Sequence, residues 1–138
     1  MKRTRLLGID PGIGRTGYGL IETWEDQVQH VEHGCLETNK NDSRQNRILD
    51  LYTQFSQLLD HLKPDVAGVE HLYAGRNATT AIQVAEARGA ILLSLAQRGI
   101  PSRAYAPASI KMTMTESGRA TKYEVRDVVM MQLGLEDP

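Results

Sequence analysis

Residues 6–19, LLGIDPGIGRTGYG, constrain the fold more than any other part of the chain. Leu6, Leu7 and Ile9 form an apolar run interrupted only by Gly8. A run without polar alternation reads as a strand buried on both faces, and such strands lie in the middle of α/β sheets. Asp10 stands at its end. Pro11-Gly12 then makes a turn, and Gly12, Gly14, Gly17 and Gly19 remove side chains where the backbone is expected to double back. An acid at the end of a central strand, with open backbone around it, suits a metal ion or a phosphate. Taken alone, the same Asp-Pro-Gly also reads as a turn that the aspartate merely caps.

The rest of the chain builds a sheet around that strand. Residues 18–24 read as a second strand, 25–27 as a turn and 28–36 as a third strand with imperfect alternation, which together predict an antiparallel meander. After a polar loop, Asp42 and Gln45 have the spacing of a helix capping box. The helix that follows carries Ile48, Leu51, Tyr52, Phe55, Leu58, Leu59 and Leu62 on one face, and Pro64 marks its end. Residues 65–70, DVAGVE, read as a buried parallel strand that again ends in a carboxylate, Glu70. A loop over 71–77 leads into a long helix, 78–97, rich in small residues, and 102–105 reads as a further strand. Pro107 opens a short helix to about 115, 116–120 is a loop, and Thr121 with Glu124 starts a last helix that Gly134 stops.

The order β-β-β-α-β-α-β-α-α predicts an α/β fold: a mixed five-stranded sheet, three strands antiparallel and two parallel, with helices on both faces. Sites in such sheets form outside the carboxyl ends of the parallel strands. Asp10 and Glu70 both end strands of that kind. If the strands are neighbours, their backbones lie roughly 5 Å apart. Two carboxylates that close repel unless a cation lies between them, and magnesium or manganese, which prefer oxygen ligands, is the natural choice.

Composition narrows the classes. A chain of 138 residues fits one domain, and its longest apolar run, residues 90–93, is far too short to span a bilayer. The N-terminal residues enter a strand directly, without the apolar region of a signal peptide. One cysteine, Cys35, excludes an internal disulfide and suits a reducing cytoplasm. The net charge is only −1, yet it is polarised. Residues 20–65 carry nine acids against four bases, and residues 71–122 carry seven bases against two acids. A basic region of that kind is compatible with a phosphate-backbone footprint, and equally with a solvated mixed surface.

GIDPGIGRTGYG, then PDVAGVEHLYAGRNATTAIQVAEARGA, then AYAPASIKMTMTESGRATKYEV together resemble the RuvC family of Holliday-junction resolvases, over essentially the whole chain and in the right order. The resemblance implies a ribonuclease H-like fold and a dimeric, structure-selective endonuclease of DNA recombination and repair. It makes Asp10 and Glu70 the first two catalytic acids and metal ligands. It places Tyr73 where an aromatic residue stacks on bases at the junction centre, with Arg76 and Asn77 following. Lys111 and Lys122 fall on basic positions at or near the scissile phosphate, and Arg119 between them adds a phosphate contact. The implied reaction is hydrolysis assisted by two divalent ions, Mg²⁺ or Mn²⁺, that leaves a 5′-phosphate and a 3′-hydroxyl. The implied partners are four-way junction DNA, a second copy of the chain and a branch-migration helicase, in the cytoplasm.

The family carries two further metal ligands on a C-terminal helix beyond the position of Pro138, and neither Asp127 nor Asp137 falls on them. Residues 1–138 therefore read as a single nuclease domain without that helix, and a chain ending there is expected to bind metal weakly and cleave poorly. Two other classes remain open at this point. One is a non-catalytic junction-binding module. The other is an actin-like kinase or ATPase lobe, which shares the strand, aspartate and glycine-rich turn but needs a chain more than twice as long.

Overall fold

The computed structural model describes residues 2–25, 27–71 and 77–105. In chain order the elements are β1 (Thr4–Asp10), β2 (Arg15–Trp24), β3 (Gln27–Glu37), α1 (Arg44–Leu62), β4 (Val66–Glu70), α2 (Ala78–Gln97) and β5 (Ser102–Tyr105). They form one five-stranded sheet in the order β3-β2-β1-β4-β5. β2 pairs antiparallel with β1 and β3, while β4 pairs parallel with β1 and β5. The mixed sheet expected from the sequence is therefore present, with β1 at its centre.

β1 is central because both of its faces are apolar. Leu7 and Ile9 project to one side, where Leu20, Ala67 and Val69 join them under Phe55, Leu59 and Leu62 of α1 and Ile91 and Leu95 of α2. Leu6 projects to the other side beside Ile21, its partner in the β1–β2 ladder, and both are 1% exposed. Full burial of a side chain such as Leu or Phe is worth about 1.5–3 kcal/mol, so this strand anchors the sheet. The two described helices lie on the Leu7 face and meet through a buried hydroxyl pair, Ser56 and Ser94, at 2.7 Å. The helices expected over 107–115 and 121–133 lie outside the described residues.

Local chemistry explains the helix ends and corrects one expectation. The cap of α1 is Ser43, not Asp42: the Ser43 hydroxyl accepts the Asn46 N–H at 3.2 Å. α1 ends where Lys63 turns left-handed, with φ 51°, and donates its N–H to the Leu59 carbonyl; Pro64 then prevents continuation. The second strand also starts earlier than expected: β2 already begins at Arg15 and takes in Gly17, so the turn after Asp10 is confined to residues 11–14. The imperfect alternation of β3 has its cause in a register shift: Leu20 pairs with Glu32 but Ile21 with His30, leaving Val31 as the extra residue of a bulge. No described helix is long and apolar enough to cross a membrane.

Candidate active site

Two contacts at the far end of β1 fix which residues meet at the site. The Arg5 N–H donates to Asp65 Oδ2 at 2.7 Å, and the Asp65 N–H donates to the Arg5 carbonyl at 2.8 Å. This clasp sets the parallel register of β4, in which Leu6 pairs with Val66 and Ile9 with Val69. The next step along both strands brings Asp10 beside Glu70, on neighbouring strands about 5 Å apart. Asp10 shares its side of the sheet with Gly8 and Leu6, and Glu70 with Gly68 and Val66. The two carboxylates therefore stand on the same face, opposite α1 and α2, at the carboxyl ends of adjacent parallel strands. Asp10 is exposed and Glu70 half-buried. That is the acid pair the sequence led one to expect.

Space above the pair is kept by a glycine. Gly17 is the ladder partner of Asp10, and a Cβ built on it would lie 3.9 Å from the Asp10 Cβ. Any larger side chain there would stand over the acid. Across the sheet this row continues to Cys35, the partner of Gly17 on β3. The Arg15 Nε donates to the Cys35 sulfur at 3.2 Å, which places the Arg15 side chain on the same face.

The turn that follows Asp10 is held from three directions. The Thr16 hydroxyl donates to the Gly12 carbonyl at 2.7 Å and accepts the Gly12 N–H at 3.2 Å; Thr16 is fully buried. Thr38, just past β3, donates its hydroxyl to the Ile13 carbonyl at 2.5 Å and its N–H to the Gly14 carbonyl at 3.1 Å. The Arg47 Nε, from the first turns of α1, donates to that same Thr38 oxygen at 3.0 Å. Ile13 closes the arrangement by packing with Leu51 and Ala87 between the helices. On the Glu70 side, the Arg88 Nε of α2 donates to the Glu70 carbonyl at 3.2 Å. None of Thr16, Thr38, Arg47 and Arg88 was singled out from the sequence. Their side-chain contacts span 4 to 25 residues, and no local motif announces them.

Asn77 caps α2, its side-chain oxygen accepting the Thr80 N–H at 2.9 Å. That gives it a structural task in addition to the DNA contact expected of it. Tyr73, Arg76, Lys111, Arg119 and Lys122 lie outside the described residues. Among the described residues no cluster of three or more His, Cys, Asp or Glu side chains is placed to hold a metal ion. Two carboxylates offer only oxygen donors, a chemistry that would suit a hard divalent cation.

Residues 6–138 match the family described as Crossover junction endodeoxyribonuclease RuvC. Among similar proteins, one named Crossover junction endodeoxyribonuclease RuvC from Prochlorococcus marinus subsp. pastoris is 41% identical over 131 residues, 95% of this chain and 83% of that protein. One of the same name from Thermotoga maritima is 39% identical over 137 residues, covering 99% and 82%. Among solved structures, RuvC of T. thermophilus in complex with a Holliday junction substrate superposes with a TM-score of 0.74 at 27% identity, covering 96% of this chain and 81% of that one. A yeast mitochondrial Holliday junction resolvase shares the fold, with a TM-score of 0.61 at 16% identity.

Proposed function

The chain belongs to the RuvC family of crossover junction endodeoxyribonucleases, and from that premise we infer that it is an endonuclease that resolves four-way DNA junctions. The observation that carries the chemistry is the placement of Asp10 and Glu70 on one face, at the ends of two adjacent parallel strands. We propose that these are catalytic acids and the ligands of divalent metal, Mg²⁺ or Mn²⁺, with two ions per site as the family resemblance implies. The cation, when bound, supplies an activated water and a counter-charge for the phosphate. The protein's own share is to hold two carboxylates at fixed separation and to keep the approach open at Gly17. It also keeps the Asp10 turn rigid through Thr16 and Thr38, so that little has to reorganise during the reaction. Lys111 and Lys122 are assigned to charge stabilisation at the scissile phosphate, which leaves on hydrolysis as a 5′-phosphate opposite a 3′-hydroxyl. Tyr73, Arg76, Asn77 and Arg119 are assigned to the junction DNA. These assignments rest on the matching motifs.

Symmetric cleavage of a four-way junction needs two sites, and α2 supports a homodimer. Ile82 and Leu93 are 53% and 54% exposed, and with Ala78, Ala85, Gly89 and Ala96 they form an outward stripe at spacings of three and four. The stripe carries no charge, and nothing lies within 4 Å of a Cβ built on Gly89. A second copy of the same helix fits such a surface. The reading also takes residues 1–138 as one nuclease domain acting in the cytoplasm, where its single cysteine is at home, beside a branch-migration helicase.

The test is cleavage of a synthetic four-way junction in Mg²⁺ or Mn²⁺, beside a linear duplex and the Asp10→Asn variant. Paired symmetric nicks, absent from the duplex and lost in the variant, are expected. Nicking of the duplex at an equal rate, or cleavage that survives in Asp10→Asn, would overturn the assignment.

A further inference from the structure

On the face that carries the acid pair, one cation stands across the glycine gap from Asp10. β2 presents Arg15, Gly17 and Gly19 to that face, and Gly17 is the ladder partner of Asp10. Arg15 is exposed, and its side chain lies against Cys35, which is the ladder partner of Gly17 on the far side. The row therefore runs Glu70, Asp10, Gly17, Cys35, with the Arg15 guanidinium at its end. Two strand spacings, about 10 Å, separate Asp10 from that end, and the residue between them has no side chain. A DNA strand carries one phosphate per about 3.4 Å of axial rise. A strand held at Asp10 and running across Gly17 brings a phosphate one to three positions from the scissile one up to Arg15.

We propose that Arg15 binds a backbone phosphate of the cleaved strand, on the β3 side of the scissile phosphate, and so helps set where that strand lies over the acid pair. The proposal rests on the reading of Asp10 and Glu70 as the catalytic acids. The chemistry suits the role. Cys35 engages only Nε, and a guanidinium carries four more N–H donors on its terminal nitrogens, in a planar fork that matches phosphate oxygens. Glu37, the ladder partner of Arg15, is an opposing charge beside it. Glycine at position 17 then has two effects: it clears the approach to Asp10, and it lets the backbone of the DNA pass close to the sheet between acid and cation.

The experiment compares the wild type with Arg15→Ala, Arg15→Lys and Cys35→Ala. Junction affinity is measured in Ca²⁺ across a series of salt concentrations, cleavage in Mg²⁺, and thermal stability for each. Arg15→Ala is expected to weaken junction binding on the order of tenfold at low salt. It is expected to lower the slope of log affinity against log salt by about one, the signature of one lost phosphate contact. KM should rise more than kcat falls. Arg15→Lys should keep the slope, and Cys35→Ala, which removes the brace but not the charge, should keep both slope and affinity. An Arg15→Ala protein with wild-type affinity and slope overturns the proposal. So does a loss that follows a fall in melting temperature and that Cys35→Ala reproduces, since Arg15 would then only brace β3. If wild-type cleavage does not depend on Asp10, the reading of the acid pair falls and this assignment falls with it. Asp10-dependent cleavage with an unchanged Arg15→Ala protein removes the Arg15 role alone.

Discussion

Replacing Gly12 by alanine tests the claim that the turn after Asp10 is rigid. A Cβ at Gly12 would lie 2.3 Å from the Arg15 carbonyl oxygen, 0.7 Å inside the closest approach that real Cβ atoms show. The obstacle is backbone and cannot rotate away. The turn has to open, and what holds it shut is known: Thr16 with hydrogen bonds of 2.7 and 3.2 Å to Gly12, and Thr38 at 2.5 and 3.1 Å to Ile13 and Gly14. Opening it forfeits one or two of these bonds at about 1 kcal/mol each, in addition to overpacking that typically costs 1–3 kcal/mol. We expect Gly12→Ala to lose about 2–5 kcal/mol, a fall of roughly 6–20 °C in melting temperature for a domain of this size. Cleavage should fall further than the folded fraction does, because Asp10 lies two residues from the lesion. Gly99→Ala is the comparison: φ is +67° with nothing within 4 Å, so only conformational strain of about 1 kcal/mol is expected, with no loss of cleavage by folded protein. Thr16→Val damages the same turn from its other side, so the Gly12→Ala/Thr16→Val double variant should lose less than the sum of the two. Thermal melts and junction cleavage on the four proteins decide the matter. A Gly12→Ala melting temperature within 2 °C of wild type, measured with full cleavage, would show that the turn is slack and the argument wrong.

Arg88→Ala removes the hydrogen bond to the Glu70 carbonyl; we expect the metal concentration for half-maximal cleavage to rise several-fold while junction affinity in Ca²⁺ stays put, and an unchanged metal requirement would refute a positioning role. Leu93→Glu places a charge in the outward stripe of α2; if two copies pair through that stripe as proposed, sedimentation shifts from dimer to monomer, and an unchanged profile refutes the proposed interface. The Tyr18 hydroxyl donates to Glu32 at 2.8 Å, and burial first, then that carboxylate, pushes its pKa up to about 12. Because the folded state favours the neutral phenol, its contribution is complete below pH 10, the unfolded value, and drains away between pH 10 and about 12. Urea melts of Tyr18→Phe should show a shallower alkaline decline than the wild type over that window, and parallel declines would contradict the assignment.

What was legible in the sequence was whatever depends on neighbours in the chain. A strand apolar on both faces, followed at once by an acid, is visible in GID and again in GVE, and the central place of β1 follows from Leu6 and Leu7 both being apolar. The cap of α1 shows the limit of local patterns. Asp42 with Gln45 and Ser43 with Asn46 offer the same spacing one residue apart, and nothing nearby chooses between them. The supports of the site were invisible for a related reason: Thr38 and Arg47 reach the Asp10 turn, and Arg88 the Glu70 carbonyl, only after the sheet and both helices have assembled.

The glycines show how a residue read correctly as special was given the wrong reason. Gly17 looked like part of a turn, because glycine in a strand costs backbone entropy and packs nothing. The ladder puts Gly17 opposite Asp10, and Gly19 opposite Gly8, which in turn pairs with Gly68. Three neighbouring strands thus forgo side chains on the acid-bearing face, one step behind the acids. A sheet tolerates that loss where something must come close to its backbone. In this chain the loss is concentrated beside the two carboxylates, while the opposite face of the same strands carries Leu7, Ile9, Leu20 and Val69. The expense of glycine on one face alone is therefore itself an argument that the Asp10 face is built for a close-lying partner, and it predicts that Gly17→Val loses junction cleavage while its fold, read by circular dichroism, stays intact. A Gly17→Val protein that cleaves at the wild-type rate would mean that the open row serves packing and not the substrate.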